Sequence, residues 1–505
     1  MSTTITCDVA IIGSGAGGGT VAAALAPLVA DGLRVIVFEQ GAKLRDDEFD
    51  GGELTMAPVL YEDGGGFLTA DGTMTLAFGR TYGGSTVVYT GTSLVAPERV
   101  IRGWRVPGLT AGDLAERSAK YMQQNNVHLL RPDEINDNNR LFVEGCRAAG
   151  FTAEQFPINV RGCLGSSLCN LGCPNGAKQG THRVQLPEAE RRGVEVVTRA
   201  EALRVDQGQL HVRVTEKPQG TKGEPSAWAP GEYDIHARVV VAAGGSIGSS
   251  ALLLRSGLGA RLPRLGHGFT CHPAFILVAE HAGTITNFVG HPKSYFLDRA
   301  EAEGYVLETC MYFPFTTAKN LTGLGTEHAA MMQAFERLQM ILVLACDRAV
   351  EENRIEVDRS GRPVVHYSFT PTVVDSLAAA TRAAARIFFG AGALRVHAPT
   401  ADPHIITRDE IGRIDERITP AHFVPGTTSV SAAHMMGGCG MGGSAANSVC
   451  DGWGRVHGMP WLRVADSSLF PDSLEINPYL TVMALADRTA QAVMRDLPEL
   501  GTPAS

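Results

Sequence analysis

Near its start the chain carries a strand, a glycine turn, a helix and a second strand, and this unit constrains the fold more than any other feature. The run from Asp8 to Ile12 is short and apolar, which is typical of a buried parallel strand. A G-x-G-x-x-G turn follows at Gly13, Gly15 and Gly18. Apolar residues then recur at helical spacing, and a second apolar strand closes on Glu39, 21 residues after Gly18. This order and spacing predict a nucleotide-binding βαβ unit.

Each conspicuous residue of this unit has a physical task. Gly13 makes the tight turn, Gly15 lets a pyrophosphate approach the backbone, and Gly18 lets the helix pack against the strand. The helix N-terminus supplies free N–H groups for the diphosphate. A carboxylate at Glu39 suits two ribose hydroxyls and would repel a 2′-phosphate. The unit therefore predicts a cofactor that contains ADP, and it leaves open whether the remainder is nicotinamide or flavin.

Length, charge and cysteine content restrict the class of protein. A chain of 505 residues predicts two large domains, and a net charge of -9 makes nucleic acid an improbable partner. No basic segment precedes the first strand, and the apolar stretches are shorter than the ~20 residues that a membrane span needs. We therefore expect a cytoplasmic protein without a transmembrane segment. The 10 cysteines are better interpreted as thiols or ligands than as a disulfide framework.

Three further stretches resemble parts of a nucleotide site. Residues 78–91 surround a basic residue with glycines and hydroxyls. Residues 236–258 read as a strand, a double glycine and an apolar helix, and residues 461–494 as a strand ending on Asp466, a loop and a helix. Because these pieces are scattered over the chain, they predict one cofactor that is long enough to touch all of them.

These motifs together resemble those of the glucose–methanol–choline (GMC) oxidoreductase family, which holds FAD. The resembling segments run through the whole chain in the family's order: Gly13–Gly18, Gly79–Thr86, Gly245–Leu258, His434–Gly442 and Val464–Arg488. The ending with Asn477 and Pro478 is most similar to the branch of cholesterol oxidases and long-chain-alcohol oxidases. The resemblance implies an α/β fold in which a Rossmann-like FAD-binding domain is interleaved with an α+β substrate domain built on an antiparallel sheet.

The positions of the motifs divide the chain into five segments. We expect residues 1–95, 155–265 and 430–505 to form the FAD-binding domain. Residues 96–154 are expected to form a substrate or lid segment, and residues 266–429 the substrate-binding domain. In the last of these, apolar runs predict strands, a turn at Ser360 and Gly361 predicts a hairpin, and a long helix follows.

The resemblance also implies which residues contact the flavin. Those expected to line it are Gly79, Arg80, Gly83, Gly84 and Ser85. Asp466 is expected near the ribityl chain or the diphosphate, and Pro478 at the pyrimidine edge. The chain has Tyr89 where the family commonly has asparagine, which puts that polar contact to the isoalloxazine in doubt.

Alcohol oxidation removes a hydroxyl proton and a hydride from the same carbon, so the site needs a base beside the oxygen. His434 is the best candidate because imidazole titrates near neutral pH. Asn477 follows 43 residues later, and the family pattern brings the two together over the flavin. A carboxamide can donate and accept hydrogen bonds, which suits it to orient the hydroxyl. The resemblance thus implies hydride transfer to flavin N5, with His434 as base and Asn477 orienting the substrate. Asn477 also suits a cap of the following helix.

Cys163, Cys169 and Cys173 form a C-x5-C-x3-C triplet followed by a proline. Three thiolates could hold a [3Fe–4S] cluster, as in some sugar-dehydrogenating relatives. Zinc is less suited, because there is no close C-x2-C pair and no evident fourth ligand. The alternative is that the three are small residues of a glycine-rich loop. We expect no metal and keep the iron–sulfur dehydrogenase as an alternative.

The sequence therefore predicts an FAD-dependent alcohol oxidase or dehydrogenase. Its partners would be a small-molecule alcohol and either oxygen or a separate electron carrier. Two substrate classes stay open, namely a sterol-like or long-chain alcohol and a hydroxymethyl group on a sugar or antibiotic. A second alternative is a lyase of the same family, which performs no net redox reaction.

Overall fold

The chain folds around two β-sheets, one mostly parallel and one mostly antiparallel. The computed structural model describes residues 2–285 and 287–501. The strands are β1 Thr3–Ile12, β2 Val35–Glu39, β3 Phe67–Leu68, β4 Met74–Leu76, β5 Val127–Leu129, β6 Glu154–Gln155, β7 Pro157–Asn159, β8 Glu195–Thr198, β9 Ala200–Asp206, β10 Gln209–Val214, β11 Gly231–Ala242, β12 Ala274–Glu280, β13 Tyr295–Arg299, β14 Tyr305–Thr309, β15 Leu338–Ala345, β16 Arg354–Val357, β17 Pro363–His366, β18 Arg395–His397, β19 Ile405–Thr407, β20 Val430–Ala432 and β21 Leu462–Val464. The α-helices are α1 Ala16–Leu25, α2 Glu53–Leu60, α3 Glu98–Gly103, α4 Ala111–Gln124, α5 Asp137–Ala148, α6 Gln185–Arg191, α7 Gly245–Arg255, α8 Ala300–Glu303, α9 Pro314–Asn320, α10 Thr326–Gln333, α11 Pro371–Gly390, α12 Ile414–Arg417 and α13 Tyr479–Asp496.

The first sheet is built around the predicted βαβ unit. Its strand order is β8-β2-β1-β11-β10-β9, and β21 pairs with the end of β11. Strands β8, β2, β1, β11 and β21 are parallel to their neighbours, whereas β9 and β10 add an antiparallel extension. The parallel strands end together at one edge, which is where open α/β sheets bind their ligands.

Both faces of this sheet are buried, which explains the nearly continuous apolar runs in its strands. Alternate residues of β1, such as Val9 and Ile11, pack with helices α1 and α13. The intervening residues, Ala10 and Ile12, face the opposite layer, which includes Leu252 and Leu253 of α7. The helices therefore cover the sheet on two sides, as a parallel sheet requires.

The second sheet is antiparallel through its centre and forms the other half of the molecule. Its order is β3-β4-β20-β12-β15-β14-β13-β6, with β18 and β19 added beside β12. Helix α11 packs on one face, against residues such as Phe275, Leu277 and Val343. The other face carries the alternate residues, including Ile276 and Leu344. This second face looks into the cavity described below.

The predicted local elements of the second half agree with the structure. The hairpin of β16 and β17 turns through Gly361, whose φ of +82° favours glycine. Helix α11 follows it, and β12, β14 and β15 occupy the predicted apolar runs.

The strands of the first sheet lie in the three ranges predicted for the FAD-binding domain. Those ranges also contain β3, β4 and β20, which join the second sheet. In the segment 96–154, α4 contacts α13 through a hydrogen bond from the Tyr121 hydroxyl to the carboxylate of Asp487. Helix α5 of the same segment packs against α11 at Gly145 and Ile387. The proposed boundaries near residues 95, 154, 265 and 429 remain a prediction.

Among the helices within residues 2–285 and 287–501, not one is long and apolar enough to cross a membrane.

Candidate active site

One large cavity lies between the two sheets and joins the glycine turn to His434 and Asn477. Its volume is about 1160 Å³. Small-molecule sites usually occupy roughly 300–1,000 Å³, so this one has space for a cofactor as long as a dinucleotide and for a substrate beside it. Of the residues predicted to hold the cofactor, those that line the cavity are Gly13, Gly15, Glu39, Gly79, Arg80, Gly84, Ser85, Asp466 and Pro478.

Glu39, which was predicted to bind a ribose, lines the cavity at the end of β2. Ser14 donates to its carboxylate through the backbone N–H at 3.0 Å and the hydroxyl at 2.6 Å, and Gly41 N–H donates at 2.7 Å. Burial raises the pKa of Glu39, and these hydrogen bonds oppose the rise. A carboxylate oxygen can accept more than one hydrogen bond, so Glu39 retains acceptor capacity toward the cavity.

Two of the predicted glycines, Gly18 and Gly83, do not line the cavity. A Cβ on Gly18 would lie 1.9 Å from the carbonyl oxygen of Gly13, so this glycine permits the close packing of α1 on β1. Gly83 has a φ of +99°, and its N–H donates to Ser14 Oγ at 2.8 Å. It therefore fastens the loop 79–85 to the glycine turn.

The loop 79–85 lies across the glycine turn. A Cβ on Gly84 would come within 2.8 Å of the Gly15 Cα, which shows how closely the two backbones approach. The Gly79 N–H donates to Ser85 Oγ at 2.9 Å, and Arg80 lies 3.5 Å from the carboxylate of Glu62. Arg80 is exposed and also lines the cavity.

Asp466, just past the end of β21, connects that strand to the start of α7. Its carboxylate accepts from the Gly245 N–H at 2.9 Å, from Ser249 Oγ at 2.5 Å and from the Ser468 N–H at 2.8 Å. Asp466 is buried, and burial raises its pKa. The buried carboxylate thus holds the beginning of α7 in place at the cavity wall.

The α7 wall also leaves room for a bound group. Gly245 and Gly248 line the cavity, and a Cβ built on either meets nothing within 4 Å. Side chains at these positions would project into space that the described part of the chain does not fill. Together with Glu39 and the free N–H groups at the start of α1, this wall fits the dinucleotide cofactor that the sequence predicts.

The structure brings His434 and Asn477 together in the wall of the same cavity. Asn477 Nδ2 lies 3.3 Å from His434 Nε2. Helix α13 starts at Tyr479 with Pro478 as its N-cap residue, and no side chain caps it. The carboxamide of Asn477 is therefore directed to the histidine instead of to the helix end.

Burial and a nearby cation keep His434 neutral. Burial, with a smaller contribution from Lys293, lowers the pKa of His434 to about 3. Lys293 also lines the cavity, and its ammonium group donates to the carboxylate of Glu308 in a buried ion pair. A neutral imidazole with a free nitrogen can accept a proton, which is what a general base requires.

Sequence analysis missed the residues behind His434. His272 Nδ1 lies 2.9 Å from His434 Nδ1, and His272 Nε2 lies 3.2 Å from Ser473 Oγ. Lys293 and Glu308 were missed as well. No motif surrounds any of these residues, and the chain separates His272 from His434 by 162 positions, so no sequence signal pointed to them.

Aromatic and apolar side chains form much of the remaining wall. Tyr89, the position that departs from the family pattern, packs edge-on against Tyr479 with ring centroids 4.8 Å apart and accepts from Asn159. The second sheet and the segment after β14 add a mostly apolar surface: Ala274, Ile276, Met311, Tyr312, Phe313, Phe315, Leu342 and Leu344.

The cysteine triplet lies outside the residues that line this cavity. Cys163, Cys169 and Cys173 are partly exposed free thiols. In the described part of the chain, no group of three or more His, Cys, Asp or Glu residues is arranged to hold a metal ion. Burial raises the pKa of Cys169 to about 12, and it also raises that of Cys163.

Comparisons with known proteins agree with this architecture. An uncharacterized GMC-type oxidoreductase of Mycobacterium tuberculosis is 30% identical over 95% of this chain and 74% of its own length. Long-chain-alcohol oxidase FAO4B of Arabidopsis thaliana is 26% identical over 95% of this chain and 66% of its own length. Paromamine 6'-oxidase of Streptomyces fradiae is 27% identical over 97% of this chain and 92% of its own length.

Solved structures share the fold at low sequence identity. Pyridoxine 4-oxidase from Mesorbium loti superposes with a TM-score of 0.68 at 16% identity, covering 97% of this chain and 99% of its own. A formate oxidase superposes with a TM-score of 0.67 at 13% identity, covering 99% and 100%. Models of the GMC oxidoreductase family match residues 57–274 and 349–486. The chain therefore belongs to the GMC oxidoreductase family and is an oxidoreductase.

Proposed function

We propose that this protein binds FAD and oxidises an alcohol to an aldehyde or ketone, with His434 as the base and Asn477 orienting the hydroxyl. The observation that carries the proposal is the 3.3 Å approach of the Asn477 carboxamide to His434 Nε2 in the wall of a cavity that also contains the glycine turn. A base and a hydrogen-bonding amide beside a cofactor cavity are what removal of a hydroxyl proton requires.

The cavity wall supports FAD as the cofactor. Gly13, Gly15 and the start of α1 would hold the diphosphate, and Glu39 the ribose. The loop 79–85 and Pro478 would contact the flavin, while Asp466 would act by holding the start of α7. When bound, the flavin supplies the hydride acceptor.

The chain's own residues would manage the hydroxyl proton. The hydroxyl O–H bond breaks as an N–H bond forms at His434 Nε2, and the Asn477 carboxamide holds the oxygen during this transfer. His434 is ready for this step because it is neutral at physiological pH. Ile276, Leu342 and Leu344, which the second sheet presents to the cavity, would limit the water around the hydroxyl.

The apolar surface of the cavity supports a substrate whose hydroxyl is attached to an apolar chain or ring system, such as a long-chain or sterol-like alcohol. Ile276, Leu342 and Leu344 present aliphatic surface from β12 and β15, and Phe313 and Phe315 add aromatic surface. A sugar or aminoglycoside would bring several hydroxyls that need hydrogen-bond partners, and these side chains offer none. The relatives named long-chain-alcohol oxidases agree with this substrate class, and the relative named paromamine 6'-oxidase represents the competing one.

Anaerobic mixing of the flavin-loaded protein with a panel of alcohols tests the proposal. The panel contains long-chain primary alcohols, sterols, and sugars or aminoglycosides with a free hydroxymethyl group. We expect the yellow flavin absorption to bleach with the apolar alcohols first. Bleaching only by sugar-type alcohols would overturn the substrate class, and bleaching by none would overturn alcohol oxidation and favour the lyase. Admitting air afterwards separates an oxidase, which recovers its colour rapidly, from a dehydrogenase.

A further inference from the structure

A buried row of polar side chains extends behind His434, away from the large cavity. His434 Nδ1 faces His272 Nδ1 at 2.9 Å, and the two rings are nearly perpendicular, with an interplanar angle of 87°. His272 Nε2 then faces Ser473 Oγ at 3.2 Å. His272 is only 2% exposed and Ser473 is fully buried, so their contact is shielded from water, whereas His434 is partly exposed to the cavity.

The contact between the two Nδ1 atoms admits a single proton. One ring must donate and the other must accept, because two protonated or two unprotonated nitrogens would repel each other at this distance. On its other side, His434 Nε2 faces the amide nitrogen of Asn477, which can only donate. Nε2 is therefore unprotonated, and the proton of the neutral His434 ring is on Nδ1.

The proton positions of His272 and Ser473 follow from this assignment. His272 accepts from His434 with its own Nδ1, so its proton is on Nε2 and is donated to Ser473 Oγ. If His272 donated through Nδ1 instead, His434 would carry its proton on Nε2 and could not act as a base at the cavity. The tautomer of His272 thus decides the role of His434.

We propose that His272 is a positioning residue that holds His434 as the Nδ1–H tautomer, with an unprotonated Nε2 that accepts the hydroxyl proton when the substrate hydroxyl displaces the Asn477 N–H from it, and that Ser473 completes the row. This inference rests on the proposed function of His434. In the step itself the hydroxyl proton moves to Nε2, and the Nδ1 proton stays on His434 and strengthens its hydrogen bond to His272. Neither partner of His272 is a carboxylate, so the row orients the base without adding a negative charge to it.

Three variants and one spectroscopic measurement test the role of His272. His272→Phe fills the site but removes the acceptor, whereas His272→Asn places a carboxamide oxygen where Nδ1 was. His281→Asn is the matched control, because His281 is also buried, lies at the opposite end of β12 and hydrogen-bonds Gln339. Anaerobic flavin reduction at saturating alcohol gives the rates, and ¹⁵N shifts of histidine-labelled holoenzyme give the tautomer of His434.

We expect the rate of flavin reduction in the His272→Phe variant to be about 10- to 100-fold below that of the wild type, with little change in KM. The His272→Asn variant should retain most of the wild-type rate. His281→Asn should keep the wild-type rate. In the wild type, the ¹⁵N shifts should show the proton of His434 on Nδ1. The positioning role is overturned if that proton is on Nε2, if His272→Phe keeps the wild-type rate, or if His272→Asn is as slow as His272→Phe. A wild-type rate in His434→Ala would instead overturn the proposed function.

Discussion

His434 is kept uncharged by its surroundings, and this distinguishes it from an ordinary surface histidine. Burial is the main cause of its low pKa, and Lys293 adds a smaller contribution in the same direction. A base of such low pKa is weaker than free imidazole, but it is available in its neutral form throughout the physiological range. In the proposed function, the nearby amide of Asn477 would determine where a hydroxyl binds.

The pKa of His434 predicts the pH dependence of flavin reduction. The neutral form is present above a pKa of about 3 and is lost as the pH falls through that value. Between about pH 5 and pH 8 the rate should therefore show no step due to this histidine, whereas an unperturbed histidine would give one near pH 6.5. Stopped-flow reduction across this range measures it. A loss of rate with an apparent pKa near 6.5 would contradict the assignment.

Asn477→Ala should slow flavin reduction without removing the flavin. In the proposed function the carboxamide, 3.3 Å from His434 Nε2, orients the hydroxyl, and the loss of that orientation should cost about 10- to 100-fold in rate. Asn447→Ala is a suitable control, because Asn447 is exposed and, among the described residues, its side chain hydrogen-bonds Ser444 of its own turn. Comparable rates for the two variants would exclude Asn477 from the chemistry.

The sequence predicted the pair His434 and Asn477 because both stand in segments that resemble a family motif, and the structure brings them together. The residues behind them, His272 and Ser473, were not predictable. Their role arises from a contact between segments that are 162 and 201 positions apart, and no local pattern marks such a contact. A candidate catalytic residue within a recognisable motif can be predicted from a sequence. A hydrogen-bond partner that only tertiary folding brings next to it cannot.

At the scale of single elements, the turn between β1 and α1 forms the proposed diphosphate site. Gly13 has a φ of +96°, and α1 approaches β1 so closely that no side chain fits at Gly18. The strands β1, β2 and β11 were predictable because strands buried on both faces are continuously apolar. The membership of β3, β4 and β20 in the second sheet was not, because these strands have only two or three residues and no periodicity of their own.

Gly18→Ala should loosen this turn, and Gly112→Ala should not. A methyl group at Gly18 would lie 1.9 Å from the Gly13 carbonyl oxygen, so α1 must move, at a cost of about 1–3 kcal/mol and a loss of FAD affinity. Gly112 lies on the exposed side of α4 with nothing within 4 Å, so alanine there should stabilise by about 0.5–1 kcal/mol. Denaturant unfolding and FAD titration measure both effects. Unchanged stability and affinity in Gly18→Ala would refute the packing argument.

At the scale of the whole molecule, the two sheets meet at a cavity to which both contribute. The first sheet supplies the end proposed to hold the nucleotide, and the second supplies the apolar face opposite α11. Segments from the beginning, middle and end of the chain all line this space, so a bound cofactor would connect elements that are distant in sequence. Filling the cavity should therefore stabilise the entire fold.

FAD should raise the melting temperature of the protein freed of its cofactor, because it binds the folded state alone. At a free concentration of 100 times its Kd, the gain is about 2.7 kcal/mol. NADP⁺ should give a smaller shift, because its 2′-phosphate would meet the carboxylate of Glu39. Differential scanning calorimetry with each cofactor measures the difference. An equal or larger shift with NADP⁺ would rule out the assignment of Glu39 to a ribose.

The most direct test of the account compares flavin reduction in the wild type and in His434→Ala, both loaded with FAD and mixed anaerobically with a saturating alcohol. We predict equal flavin content and a reduction rate about 10²- to 10⁴-fold lower in the variant, because the hydroxyl proton has lost its acceptor. Equal rates in the two proteins would contradict the central claim that His434 takes this proton.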